Sequence, residues 1–372
     1  MRPRSLALVM LAAVIAAFIG ALVARKITSP SPSVAGGRAW ARLEQMASKG
    51  NSVAFRSLCD GAERGGRSAE FSLALLYENG HGVSRNYPMA AAWYRRAARR
   101  GYAVAQCNLG FLYEKGKGVP KSYADAKKWY CRAASQGFSV AEYDLGHLYD
   151  RGAGVPQDRA KAASWYLKAA RQGYSYAETN LGYLYLHGYG LPRNDQKAAI
   201  WEEKAARQGE PRAECTLGLL YSRGWGVPRS FLLANKYYRR SAQKGLAAAE
   251  YNLGNQYALG QGVKRNAVLA AHWFGKAAAQ GNFQSEYSLG LIHYLGRGVP
   301  RSHAKALRWW LLAKANAPPG SWVFQRVGRQ ISVVEAKLSP AEITKARIGV
   351  AAILRSRRNI KDSDSGAQRK RH

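Results

Sequence analysis

Small, aliphatic and aromatic positions recur along this chain with a constant period of 36 residues. Seven units follow one another without an insertion, beginning at Ala69, Ala105, Ala141, Ala177, Ala213, Ala249 and Ser285. Within each unit a leucine column (Leu73, Leu109, Leu145, Leu181, Leu217, Leu253, Leu289) is followed by a small residue, Ala74 or one of the glycines from Gly110 to Gly290. Three positions further on stand Tyr77, Tyr113, Tyr149, Tyr185, Tyr221 and Tyr257, with His293 in the last unit. Leucine, small residue and tyrosine at these spacings share one face of a helix, here named A. The small residue lets a neighbouring helix come close. A fixed period of this length predicts an all-α solenoid, an architecture in which each unit buries its apolar face only against its neighbours.

A pair of glycines two apart, Gly80 and Gly82 through Gly296 and Gly298, ends helix A in every unit, as a turn needing positive φ requires. A column made wholly of good N-cap residues follows: Asn86, Ser122, Asp158, Asn194, Ser230, Asn266 and Ser302. It predicts the start of a second helix, B. The sequence places Trp93, Trp129, Trp165, Trp201, Tyr237, Trp273 and Trp309 on the inward face of B, and glycines from Gly101 to Gly281 after its end in six units.

The pattern A-E-x-x-L-G-x-x-Y-x-x-G-x-G-V-P, then K-A-x-x-W-Y-x-K-A-A-x-x-G, resembles the Sel-one-like repeat family, relatives of the tetratricopeptide repeats. The third unit matches closely, from Ala141 and Glu142 through Leu145, Gly146, Tyr149, Gly152, Gly154, Val155 and Pro156 to Lys161, Ala162, Trp165, Tyr166, Lys168, Ala169, Ala170 and Gly173. The resemblance covers about two thirds of the chain. It implies a right-handed superhelix of antiparallel helix pairs that acts as an adaptor between other proteins, without naming the partner.

Both ends of the array depart from the pattern, where a stack of repeats needs caps. Residues 39–68 read as a degenerate capping repeat, with Ala62, Gly65 and Ala69 in register but the glycine turn missing. The period breaks at Pro318 and Pro319, residues 318–354 read as C-terminal capping helices, and Ser339, Pro340 and Glu342 predict a capping box opening the last one. Residues 69–317 hold the seven repeats.

Residues 1–26 form a separate segment. An uncharged run from Leu6 to Ala24 lies between Arg2 and Arg4 on one side and Arg25 and Lys26 on the other. It is long enough to span a bilayer, so the expectation is a single-pass membrane anchor, with a cleaved signal peptide as the alternative. Residues 27–38, rich in Ser, Pro and Gly, read as a flexible linker and residues 355–372 as a disordered basic tail. An amino-terminal span before a soluble domain most often exports it. The expected location is thus a bacterial inner membrane with the repeats on the periplasmic side, or a secreted or periplasmic protein after cleavage.

Charge adds a second theme. Lys and Arg number 57 against 23 Asp and Glu, a net charge of +34; residues 1–38 and 355–372 carry +5 each, leaving +24 on the repeats and caps. One basic column lies beside the B-helix caps, Arg85, Lys121, Arg193, Arg229, Arg265 and Arg301, interrupted by Gln157. Another runs along helix B as Arg96, Arg132, Lys168, Lys204, Arg240 and Lys276. Stacked repeats turn each column into a stripe of like charge, which attracts polyanions. The helix B column also complements the helix dipole, whereas a cation beside a helix N-terminus is mildly unfavourable and yet recurs here.

By analogy with related helical repeats, exposed A-helix positions line the inner groove. Phe71, Tyr143, Tyr251 and Tyr287 from one column, and Phe111, His147 and Tyr183 from another, are the candidate partner-binding residues. These columns vary between units while the stacking columns do not, and aromatic anchors are typical hot spots; the competing reading is that they pack between neighbouring A helices. No pair of histidines or cysteines has metal-ligand spacing, and neither a nucleophile elbow nor a phosphate loop is present. Neither a cofactor nor catalysis is expected. The acidic column Glu70, Glu142, Glu178, Glu214, Glu250 and Glu286 lies in the first turn of each A helix, where it serves the dipole. Cys59, Cys107, Cys131 and Cys215 are expected as free thiols. The expectation is a non-enzymatic protein-interaction scaffold of the cell envelope; the alternative is an envelope protein whose basic stripes bind polysaccharide, lipid headgroups or nucleic acid.

Overall fold

The computed structural model of the chain describes residues 34–369. The expected anchor over residues 1–26 lies outside them, and among the described residues no helix is long and apolar enough to cross a membrane. Among the described residues the fold consists of eighteen helices and no strand. They form two compact bodies, one ending at Asp158 and one beginning at Arg159.

The N-terminal cap consists of α1 (Val34–Ser48) and α2 (Ser52–Glu63). Residues 34–38, expected in the linker, are therefore helical. In place of the missing glycine turn, Asn51 accepts from the backbone N–H of Ala54 at 2.9 Å and starts α2. The next fourteen helices, α3 to α16, alternate as A and B. The A helices are Arg67–Asn79, Ala103–Lys115, Ser139–Arg151, Ser175–His187, Pro211–Arg223, Ala247–Leu259 and Phe283–Leu295. The B helices are Tyr87–Arg99, Tyr123–Ala134, Arg159–Arg171, Asp195–Arg207, Phe231–Gln243, Ala267–Ala279 and His303–Asn316. Within each body, helices pack on their neighbours in sequence, as a solenoid requires.

Local chemistry explains the punctuation. Asn86, Asn194 and Asn266 accept from the backbone N–H three residues on at 3.0, 2.8 and 2.9 Å, and Ser122, Ser230 and Ser302 do so at 3.2, 3.2 and 3.3 Å. Gly80 sits at φ +70° as the left-handed C-cap of its A helix, and its equivalents repeat this conformation. The second glycine of each turn is needed for close approach: a Cβ on Gly226 would lie 2.1 Å from the backbone oxygen of Asp195.

The core of each helix pair corrects the expectation about tryptophan. Most of the tryptophan column is only half-buried. The deeply buried residue is the next one, Tyr94, Tyr130, Tyr166, Tyr238, Phe274 and Trp310. Its ring takes the space opened by the small column of helix A. A Cβ on Gly110, Gly218 or Gly254 would stand 2.8, 2.6 or 2.7 Å from the ring of Tyr130, Tyr238 or Phe274. Two of the buried hydroxyls donate to acids at the end of the same A helix, Tyr94 to Glu78 at 2.6 Å and Tyr130 to Glu114 at 3.0 Å. The fourth repeat breaks the column, because Glu202 stands where the others place a ring.

The C-terminal cap comprises α17 (Trp322–Glu335) and α18 (Pro340–Arg369). The capping box forms as expected, with Glu342 N–H donating to Ser339 Oγ at 3.3 Å and Ser339 N–H to Glu342 Oε2 at 2.9 Å. The helix continues through Arg369, where a disordered tail was expected from Arg355. Arg357 explains part of this. Its guanidinium donates to Glu286 Oε1 at 2.9 Å and to the carbonyl of Ala278 at 2.7 Å. Arg96 makes the equivalent pair of contacts with Glu70 and Ala62, both at 3.1 Å. In the seventh repeat the position equivalent to Arg96 is Leu312, and the last helix supplies the missing cation. Arg357→Ala leaves the buried Glu286 with Asn316 as a donor and is expected to cost roughly 1–3 kcal/mol. Urea unfolding of the two proteins checks this; an unchanged midpoint would mean that the helix docks without this tie.

Candidate interaction surface

The charged columns of the repeats are built into the scaffold to different degrees. Glu70, Glu142, Glu178, Glu214, Glu250 and Glu286 are all buried, deeper than a contribution to the dipole alone demands. Basic and amide side chains of the following B helix and its C-cap reach them: Arg240 and Lys244 meet Glu214 at 2.9 Å each, Gln208 meets Glu178 at 2.8 Å and Gln280 meets Glu250 at 2.9 Å. Burial raises the carboxyl pKa of Glu178, Glu250 and Glu286, and their cationic and amide partners pull it back down. Cations of the same column lie over the tryptophans, Lys168 over Trp165 and Lys204 over Trp201 at 4.1 Å each, and Arg96 and Lys276 do both, lying 4.6 and 4.8 Å from Trp93 and Trp273 while reaching Glu70 and Glu250. The B-helix basic stripe is therefore a structural tie between an aromatic face and a buried acid.

The turn column differs. Arg85, Lys121, Arg193, Arg229, Arg265 and Arg301 are all exposed. At Arg85 the end of helix A explains the position, because its guanidinium donates to the carbonyl of Asn79 at 3.2 Å, whereas Arg193 pairs with Asp195 at the start of its B helix at 2.8 Å. Gln157, which interrupts the column, donates to the carbonyl of Asp150 at 2.7 Å, one residue earlier in its A helix. At these two positions the side chain donates to an orphan carbonyl at the end of the A helix, where a cation also suits the negative end of the helix. The acids meanwhile are drawn inward. Among the acidic residues whose burial is described, Asp60, Glu63 and Glu342 are the exposed ones.

The groove candidates divide. In the first body, the Phe71 ring packs 5.7 Å from Tyr94 and 5.2 Å from Tyr102. Phe111 is half-buried beneath Lys115 and Lys117, and Tyr143 stacks on His147 at 6.2 Å. In the second body, Tyr251 packs 5.9 Å from Phe274. Tyr287 is only 6% exposed because Trp322 of α17 lies edge-on against it at 5.3 Å, which removes it from any accessible groove. Tyr183 stands open, 45% exposed and 4.1 Å from His187. The first candidate column thus packs at Phe71, Tyr251 and Tyr287, while the second carries the most accessible ring.

Two aromatic residues were missed. Tyr189 and Trp225 occupy the middle of the G-x-G turn in consecutive repeats. Tyr189 lies 6.0 Å from Tyr183 and 5.4 Å from His187, and Trp225 is 38% exposed. The signal was present in sequence: this position holds His81, Lys117, Ala153, Gln261 and Arg297 in the other repeats, so the two aromatics stand out. None of the four cysteines is in a disulfide, and burial pushes the Cys215 thiol up to about 12. Among the described residues no three His, Cys, Asp or Glu side chains are grouped to hold a metal ion.

Seven consecutive segments, 67–102, 103–138, 139–174, 175–210, 211–246, 247–282 and 284–317, match the family described as Sel1 repeat. The chain belongs to the Sel1-repeat family. These segment starts fall at or within one residue of the A-helix starts. A protective antigen of uropathogenic Escherichia coli displaying an SLR fold is 31% identical, with a TM-score of 0.76 over 82% of this chain. This chain spans 66% of that protein's length. A Sel1 repeat protein from Oxalobacter formigenes is 32% identical, with a TM-score of 0.61, over 68% of this chain and 98% of that one. No curated protein matches. Sel1-repeat proteins are generally scaffolds for protein–protein interaction, and no enzyme family is indicated.

Proposed function

We propose that this Sel1-repeat protein is a non-enzymatic scaffold of the bacterial cell envelope that binds a partner protein along its A-helix face. The observation that carries the reading is the contrast between columns. The leucines and small residues that stack the repeats hardly change, whereas the position holding Phe111, His147 and Tyr183 varies from repeat to repeat and stays at least partly open. A surface that reads an irregular protein needs this combination. Tyr143→Ala with Tyr183→Ala is expected to weaken partner capture about tenfold or more without lowering the unfolding midpoint. Retained capture would refute the groove.

The apolar run from Leu6 to Ala24 supports a membrane tether with the repeats on the periplasmic side. Carbonate-washed membranes should retain the full chain and release a chain beginning at residue 27. Equal release of both would refute the tether.

A second reading, binding of an anionic polymer through Arg85, Lys121, Arg193, Arg229, Arg265 and Arg301, is favoured by one observation. With most carboxylates buried or ion-paired, the exterior is overwhelmingly cationic. Binding of that kind should fall steeply between about 50 and 500 mM salt and survive the tyrosine changes. Reversing Arg193, Arg229 and Arg265 to glutamate should abolish it while leaving groove binding in place.

A further inference from the structure

The fourth and fifth repeats differ from the others at the tips of their turns. Tyr189 and Trp225 each stand between two glycines with positive φ, Gly188 and Gly190 at +69° and Gly224 and Gly226 at +73° and +69°. The turns are clamped. A Cβ on Gly190 would meet the backbone of Arg159 at 2.3 Å, and one on Gly226 the backbone of Asp195 at 2.1 Å. Each ring is therefore presented on backbone that cannot recede, which lowers the ordering cost of binding.

Each ring also carries a guanidinium. Arg159 lies 4.3 Å from the centre of Tyr189 and Arg193 lies 5.6 Å from that of Trp225. His187 continues the platform towards the open Tyr183, 4.1 Å away. Arg159, Arg193 and Arg223 are exposed. Asp195 is bound to Arg193 at 2.8 Å. Rings backed by guanidinium groups offer apolar faces and cationic edges together.

We propose that the turn tips of the fourth and fifth repeats, with Tyr189 and Trp225 as platforms and Arg159 and Arg223 as cations, form a docking site for an acidic, aromatic-bearing peptide segment of a partner protein. The proposal rests on the scaffold reading and gives the partner its chemistry. Carboxylates meet guanidinium forks, the geometry for which arginine is best suited. Partner rings or aliphatic side chains cover Tyr189 and Trp225. Charge complementarity selects the occupant, because a basic segment would meet a surface almost without exposed acids.

The test is fluorescence anisotropy on the full chain with a labelled random copolymer of glutamate and tyrosine. Poly-glutamate, oligo-thymidylate and polygalacturonate serve as competitors. The copolymer is expected to bind at least about tenfold more tightly than any competitor. Tyr189→Ala with Trp225→Ala, and separately Arg159→Glu with Arg223→Glu, should each weaken it about tenfold with an unchanged circular dichroism spectrum. Lys236→Glu with Lys314→Glu, an equal charge change elsewhere on the surface, should weaken it less than about twofold. Tighter binding of oligo-thymidylate or polygalacturonate, or an equal loss in the Lys236 and Lys314 variant, would overturn the site. A photo-crosslinker at residue 147 separates the two claims: a protein captured there in cells while the copolymer result fails leaves the scaffold standing without this site. The copolymer result succeeding with no protein captured at 147 or 225 counts against the scaffold.

Discussion

Trp310→Ala is expected to cost about 3–5 kcal/mol of stability, a large part of the 5–15 kcal/mol typical of a folded domain. Trp310 is fully buried, and its indole N–H donates to the carbonyl of Tyr287 at 3.2 Å. Its ring fills the space above Gly290, where an added Cβ would lie 2.2 Å from Nε1. Val323 and Val327 of the C-terminal cap close the same core. The adjacent Trp309 is half-buried, so Trp309→Ala should cost less than about half as much. Urea unfolding followed by circular dichroism gives both values. Equal losses would mean that the ring column is not what holds each helix pair together.

The second large effect comes from Glu202, which is 1% exposed and takes the place of a ring. Neither carboxyl oxygen has a hydrogen-bond partner. In the first repeat the equivalent Tyr94 hydroxyl meets Glu78, but the position of Glu78 is held by the buried Leu186 in the fourth. Gly182 lies over the carboxyl from the preceding A helix. From the following repeat and its approach, Arg212 draws its pKa down and Glu210 pushes it up, while Cys215 is the thiol close enough to feel it. Burial dominates and holds the group well above the usual carboxyl range.

The sign of the pH effect follows from the raised pKa. A carboxyl held protonated in the folded chain leaves stability intact below the ordinary value of about 4.3. Stability then falls as pH rises towards the folded pKa, by up to about 1.4 kcal/mol per pH unit. Glu202→Phe copies Phe274 of the sixth repeat and removes this dependence. The stability difference between Glu202→Phe and the natural protein should therefore widen from pH 4.5 upwards and level off above the folded pKa of Glu202. Raised carboxyls elsewhere, at Glu178, Glu250 and Glu286, are common to both proteins and cancel in the difference. A difference that stays constant with pH would show that Glu202 is ionised or solvated in the folded chain.

Local signals in the sequence carried most of the helix boundaries. The B-helix starts were legible because the cap is a side-chain oxygen, as at Asn86 and Ser230. The A-helix starts, two residues before the first position of each unit, carry no such mark at Tyr102, Phe138 and Tyr174, which occupy the N-cap without a side-chain hydrogen bond. The inward ring was misplaced by one residue. Tryptophan is the larger and more regular column, but the adjacent position points about 100° further round the helix, straight at the small column of helix A. Arg357 could not be read at all, since it meets Glu286 across 71 residues outside the period. Of the groove, the openness of Tyr183 was legible from its variable column, whereas the cover on Tyr287 comes from Trp322, beyond the repeats.

Photo-crosslinking in living cells tests the central claim most directly, with the crosslinker at residue 183 on the A-helix face and, as control, at the exposed Lys128 on a B helix. A scaffold predicts one defined polypeptide joined at 183, surviving a high-salt wash, and none at 128. Adducts of nucleic acid or glycan at both positions, or no adduct at either, would contradict it.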